Sequence, residues 1–306
     1  MKNHIFLFLG CLIFTISCKK IRKEKTNVKV EYSKLTTLEY ELFRPNTPPK
    51  SVLILFGGYP ETAIDIQREF KILEVAKESE VAILYANLNQ KLWLEDKEKV
   101  QLAEVLHTAI LNNKLPTDNI YVGGFSSGGN VALLISSYIT ETKKYNLKPK
   151  GVFIVDSPID LSALFTTAET NLKVNFSKDA VLESTWLIKS LEERFGNPNT
   201  NITNYQNFSI YTNSTKYFKN ISSLKNTKIR FYTEPDVLWW KENRKTDLKQ
   251  TNAYYIKQLS DKLKKSEFKF VEYIATENRG YRTNGDRHPH SWSIVDPVGL
   301  INWMIQ

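Results

Sequence analysis

Apolar residues are arranged in two recurring patterns along this chain. Residues 28–32 and 37–44 alternate and carry β-branched and aromatic side chains, which predicts two antiparallel strands. Residues 51–56 are apolar without interruption, as expected of a strand covered on both faces. Ile66, Phe70 and Leu73 recur at helical spacing within residues 63–77, and residues 81–85 form the next continuous apolar run. Leu102, Val105, Leu106, Ala109 and Ile110 mark one face of a long helix, followed by strands at residues 119–122 and 151–155. Strand and helix in alternation imply crossover connections, hence an α/β fold with a mostly parallel sheet and helices on both faces.

The alternation stops near Asp160. Residues 161–225 hold one expected helix, at 181–194, and then an asparagine-rich stretch. Trp186, Phe195, Tyr205, Phe208, Tyr211, Tyr217 and Phe218 are too many aromatic rings for a solvated loop. The segment is read as an insertion that covers a site as a lid and selects its substrate, in preference to a surface excursion. The sheet resumes at residues 229–233, a helix follows over 248–263, and a last strand covers 268–274. A polar loop at 276–287 leads to Asp296-Pro297, an N-cap and first-turn pair for a closing helix that ends near Ile305.

Composition narrows the class. Of 306 residues, 42% are hydrophobic and 12% aromatic, enough for one large core and too apolar for disorder. The net charge of +9 comes from scattered lysines apart from a cluster at 19–25, so it describes a solvated basic surface with mild attraction for anionic substrates or surfaces. No nucleic-acid-binding motif accompanies it, and nucleic acid is not among the expected partners.

The N-terminus carries Lys2 and an apolar run at 5–16, of signal-peptide length and too short to span a bilayer. Thr15-Ile16-Ser17-Cys18 ends that run and resembles the lipobox of bacterial lipoproteins, with threonine where leucine is usual. The resemblance implies a signal peptide over 1–17, lipid on Cys18, a polar tether over 18–27 and a folded domain over 28–306. It implies a protein of the bacterial cell envelope, held to a membrane by that lipid. Cys11, the other cysteine, lies inside the apolar run, so the processed chain would have no disulfide to stabilise it.

The chemistry centres on Gly124-Phe125-Ser126-Ser127-Gly128, between an apolar strand and an apolar helix. This fits G-x-S-x-G, in which a serine stands at a sharp strand-to-helix turn and needs small neighbours two residues either side. The helix that follows points its first amides at the serine, where a developing oxyanion can be held. A serine hydroxyl needs a base, and the base an orienting acid. His4 lies in the apolar leader and His107 on the long helix, which leaves His288 and His290; His290 is preferred, being nearer the closing helix and anchored by Trp292. For the acid, the strand ending Phe231-Tyr232-Thr233 runs into Glu234-Pro235-Asp236. Asp236 is the first choice, Glu234 the second, and Asp156 after the preceding strand a rival. Ser127 N–H is one expected oxyanion donor, and Gly58 or Tyr59 in Gly57-Gly58-Tyr59 supplies the other. A metal site on the two histidines is the lesser alternative, since Asp286 alone nearby has the spacing of a third ligand.

Together the elbow, the Gly-Gly loop, the acidic turn and the late histidine resemble the α/β-hydrolase superfamily, over most of residues 28–306. Phe56 departs from the histidine that often opens the equivalent loop in lipases and esterases. The resemblance implies Ser126, Asp236 and His290 as a triad, acyl transfer to water, no metal and no cofactor. A carboxylic ester is the default substrate, and the aromatic insertion and the lipid anchor suit a small or aryl ester or an acylated glycan. A peptidase of the same fold and a non-catalytic, lipid-anchored binding protein are the competing readings.

Overall fold

The computed structural model describes residues 30–88 and 91–306; the signal-peptide and Cys18 assignments lie outside these residues. The chain builds one eight-stranded sheet in the order β1-β2-β4-β3-β5-β6-β7-β8. β1 (Tyr32–Thr36) and β2 (Tyr40–Pro45) form the antiparallel edge, and β2 pairs antiparallel with β4 (Val81–Ala86). The remaining pairings are parallel: β3 (Ser51–Phe56) lies between β4 and β5 (Ile120–Phe125), and β6 (Pro149–Val155), β7 (Lys228–Thr233) and β8 (Val271–Ala275) follow.

The uninterrupted apolar runs follow from coverage on both faces. In β3, Val52, Ile54 and Phe56 enter one core, with α3 (Asp96–Asn112), α4 (Ser127–Thr142) and α9 (Asn252–Lys264) above it. Leu53 and Leu55 enter the opposite core, under α1 (Ala63–Glu69), α2 (Leu73–Glu78) and α10 (Pro297–Ile305). Side chains alternate faces along a strand, so each face takes half of the run. Asp296 caps α10 as expected, its carboxylate accepting from Val298 N–H and Gly299 N–H.

Several boundaries differ from the sequence expectation. The first strand begins at Tyr32 rather than ending there. The single helix expected over 63–77 is two helices, broken at Phe70 and Ile72, both buried in the second core. Residues two apart lie on different faces of a continuous helix, and the extended Phe70 lets both point inward.

The insertion is more ordered than expected. α5 (Leu161–Val174) precedes the expected helix, which runs as α6 (Lys178–Phe195), and a short α7 (Ile202–Gln206) follows. Asp160 starts α5 by accepting from the amides of Ser162 and Ala163, and its second oxygen accepts from Asn213 N–H at 2.7 Å. Leu161, Phe165, Leu191, Phe195 and Tyr205 form a separate small core. Farther on, Ile210, Tyr211, Ile221 and Leu224 join the main core. The insertion therefore contributes no strand but is packed into the body of the molecule. Among the described residues no helix is long and apolar enough to cross a membrane.

Candidate active site

The site forms at the carboxyl ends of β5 and β6. Parallel register pairs Phe125 with Val155, so the next residues, Ser126 and Asp156, emerge side by side. Ser126 N–H closes the arrangement by donating to Val155 O at 2.9 Å. Both residues have positive φ, 51° at Ser126 and 43° at Asp156. For residues with a Cβ that backbone is strained, at roughly 1–3 kcal/mol each, and such strain concentrates at functional sites.

The small residues of the elbow are required by contact. A Cβ at Gly124 would stand 2.1 Å from Gly128 O, and one at Gly128 would stand 2.3 Å from Gly57 O. Gly58 lets the loop after β3 approach the serine, since a Cβ there would stand 2.9 Å from Ser126 Cβ. Asn130 on α4 ties the elbow to its neighbours, donating to Leu92 O at 3.0 Å and Pro158 O at 2.9 Å.

His290 pairs with Asp156. Nδ1 lies 2.6 Å from Asp156 Oδ2, the aspartate is almost fully buried, and Asn252 donates to Asp156 O at 2.8 Å. With the proton on Nδ1 facing a carboxylate, Nε2 presents its lone pair. The ring packs on Phe125 with centroids 4.5 Å apart. Trp292 supplies the expected anchor: it is buried, stacks on Phe70 at 4.8 Å and donates to Glu61 at 3.2 Å. Ser126 and His290 line the same two cavities.

The carboxylate preferred from sequence is elsewhere. Asp236 is the N-cap of α8 (Val237–Arg244), a helix the sequence reading missed; Oδ1 accepts from Trp239 N–H at 3.0 Å and Oδ2 from Arg287 at 2.7 Å. Glu234, the second choice, is buried and accepts from Thr276, Arg279 N–H and Gly280 N–H, with Arg287 at 2.5 Å. Both therefore hold the loop that carries the histidines, and the rival, Asp156, takes the place beside the imidazole. The signal available in sequence was Asp156-Ser157-Pro158 directly after an apolar strand. The chain order of serine, acid and histidine is unchanged.

Two of the three expected oxyanion donors, Gly58 and Tyr59, have acceptors already. Gly58 N–H donates to Glu61 at 2.8 Å, and Tyr59 N–H donates to Ser127 Oγ at 3.0 Å. Burial raises the pKa of Glu61, opposed by the hydrogen bonds from Gly58 and Trp292 and by His290. Ser127 opens α4 beside Ser126. Among the described residues no three His, Cys, Asp or Glu side chains converge as metal ligands.

His288 is buried between donors. His290 N–H lies 3.2 Å from Nδ1 and Arg244 Nη2 lies 3.0 Å from Nε2, while Trp239 packs on the ring at 4.7 Å. Burial first, then the nearby charges of His290, Arg282 and Arg244, push its pKa down to about 3.

No protein-family model matches this chain. No curated protein matches its sequence. Its similarity is to solved structures. It matches an esterase of Pyrococcus furiosus with a TM-score of 0.52 at 14% identity, over 90% of this chain and 88% of that one. It matches EstE5, whose crystals were soaked with p-nitrophenyl butyrate, with a TM-score of 0.51 at 12% identity, over 90% and 84%. The Francisella virulence factor BioJ aligns with a TM-score of 0.50 at 13% identity, again over 90% and 84%. The chain has the α/β-hydrolase fold, as the sequence resemblance implied.

The buried histidine makes stability depend on pH. The unfolded imidazole takes up a proton near 6.5 and the folded one only near 3, so between these values the unfolded chain binds more protons. Stability is therefore expected to fall as the pH drops below about 6.5. In urea unfolding, His288→Gln should lose less of its midpoint than the wild type between about pH 7 and about pH 5. Equal losses would contradict the account of His288.

Proposed function

We propose that this chain is a serine hydrolase that cleaves small carboxylic esters by acyl transfer to water. The observation that carries the reading is the Asp156–His290 pair, at 2.6 Å, beside a serine held at positive φ. In this scheme His290 Nε2 takes the proton from Ser126 Oγ as Oγ bonds to the ester carbonyl carbon. Asp156 holds the tautomer and stabilises the imidazolium. The tetrahedral oxyanion is received by Ser127 N–H and Tyr59 N–H, the latter shared with or released by the Ser127 hydroxyl. Collapse breaks the bond to the alcohol, which leaves with the proton from His290. Water then attacks the acyl-enzyme, gives a proton to His290, and the acid departs as that proton returns to Ser126.

Two cavities flank the nucleophile, of about 290 and 310 Å³, which suits small acyl and alcohol groups rather than long chains. The reading of residues 161–225 as a lid is part of the proposal. α5 and α6 supply Leu164, Ala168, Glu183, Trp186 and Leu187 to the first cavity. Trp186 stacks on Tyr59 of the oxyanion loop with centroids 5.0 Å apart. So too is envelope anchoring through Cys18, which rests on the sequence alone. Cys18→Ala should abolish incorporation of labelled fatty acid into the expressed chain; undiminished labelling would dismiss the anchor.

Catalysis is tested with a fluorophosphonate probe on the folded domain. The wild type should label and Ser126→Ala should not. Asp156→Asn should slow labelling by orders of magnitude, roughly as loss of the acid does in other triads. Asp236→Asn should label far faster than Asp156→Asn. No labelling of a folded wild type would remove the hydrolase reading, and the reverse ranking of the two variants would reassign the acid.

A further inference from the structure

Resting on the hydrolase reading, we infer that the ester this site accepts carries a carboxylate, seated in the first cavity by Arg244 and Arg282. Four arginines, Arg68, Arg194, Arg230 and Arg287, each hold a carboxylate oxygen within 3 Å. The two that line the cavity beside Ser126 and His290 hold none among the described residues. Arg244, in the last turn of α8, has its guanidinium against the ring nitrogen of His288, an imidazole kept neutral at working pH. Arg282 reaches the same cavity from the loop that carries the histidines, its backbone fixed by donation to Asp286 O at 2.9 Å.

Arg44 and Arg279 also hold no carboxylate among the described residues, but neither lines a cavity beside Ser126, whereas Arg244 and Arg282 both face the first one. The opposing charge in that lining is the carboxylate of Glu183 on α6. Two guanidinium charges against one carboxylate leave one positive charge, which suits a monoanion better than a doubly charged phosphate. The second cavity differs in sign: Glu61, Glu69 and Glu183 line it with Arg68 and Arg282, and Arg68 is already paired to Asp65 and Glu69. Arg282 and Glu183 line both cavities, so the contrast rests on Arg244 in the first against Glu61 and Glu69 with the paired Arg68 in the second, and it orients a substrate with one charged end. Planar two-pronged donation makes arginine well matched to a carboxylate. Asn171, Thr167 and Gln250 give the same cavity the polar lining that a short anionic group requires.

The test uses Ser126→Ala protein and calorimetry, so that it does not depend on turnover. Monomethyl glutarate should bind saturably, dimethyl glutarate should bind at least tenfold more weakly, and added salt should weaken the first. Arg282→Gln, at an exposed position, should weaken monomethyl glutarate about tenfold, and Arg282→Lys should recover part of the loss. Arg244→Gln should do the same, with circular dichroism confirming the fold. Methyl phosphate binding more tightly than monomethyl glutarate would overturn the carboxylate assignment. Equal affinity for the mono- and dimethyl esters, no binding of either, or indifference to both arginine changes would overturn the subsite. Fluorophosphonate labelling of the wild type is read separately, so a failed subsite with normal labelling leaves the hydrolase reading standing. Loss of labelling with retained binding does the reverse.

Discussion

The site depends on register. Pairing Phe125 with Val155 in parallel strands brings Ser126 and Asp156 out of the sheet at the same level, each turned through a positive φ. One residue of slip would send the side chains to the opposite faces. Buried runs above and below the sheet fix that register, with Val122, Val152 and Ile154 in one core and Tyr121, Phe153 and Val155 in the other. The strain at the two positions is small beside that burial, so the fold can sustain a backbone that a free chain would avoid.

The histidine is held by a different device. Its loop is tied down by carboxylates that have no place beside the imidazole: Glu234 accepts from two loop amides, and Asp236 with Glu234 grips Arg287. Arg287 also donates to Gly280 O at 2.8 Å, and His288 N–H to the same oxygen at 2.9 Å. Trp292 then packs the end of the loop against Phe70 and Phe125. A charged network and an aromatic stack thus bring a residue late in the chain to within hydrogen-bonding distance of one 134 positions earlier. The same network places Arg282 and Arg244 around the cavity.

Much of this was legible in the sequence because the governing physics is local. Parallel strands covered on both faces must be continuously apolar, and β3 matches residues 51–56. The elbow was legible because its small residues recur within five positions, although only Gly124 answers a demand that local, the demand on Gly128 being set by Gly57 O. The partner of His290 was not legible, because β6 and β7 both run into an acidic turn that contains a proline, Asp156-Ser157-Pro158 and Glu234-Pro235-Asp236, and only the three-dimensional neighbourhood distinguishes them. Asp236 is engaged as a helix cap, and α8, with Trp239 and Trp240 in its first turns, shows no buried face. α5 could have been read: Asp160 is a cap residue, and Leu161, Leu164, Phe165 and Ala168 follow at helical spacing. The partners of the Gly58 and Tyr59 amides, Glu61 and Ser127, depend on loop geometry that no spacing specifies.

The most direct test of the central claim is proton NMR of the His290 imidazole. A short Nδ1–H bond to a buried carboxylate should give a resonance far downfield of the amide envelope. It should vanish in Asp156→Asn and persist in Asp236→Asn. A resonance that survives loss of Asp156, or disappears with Asp236, would contradict the pairing on which the account rests.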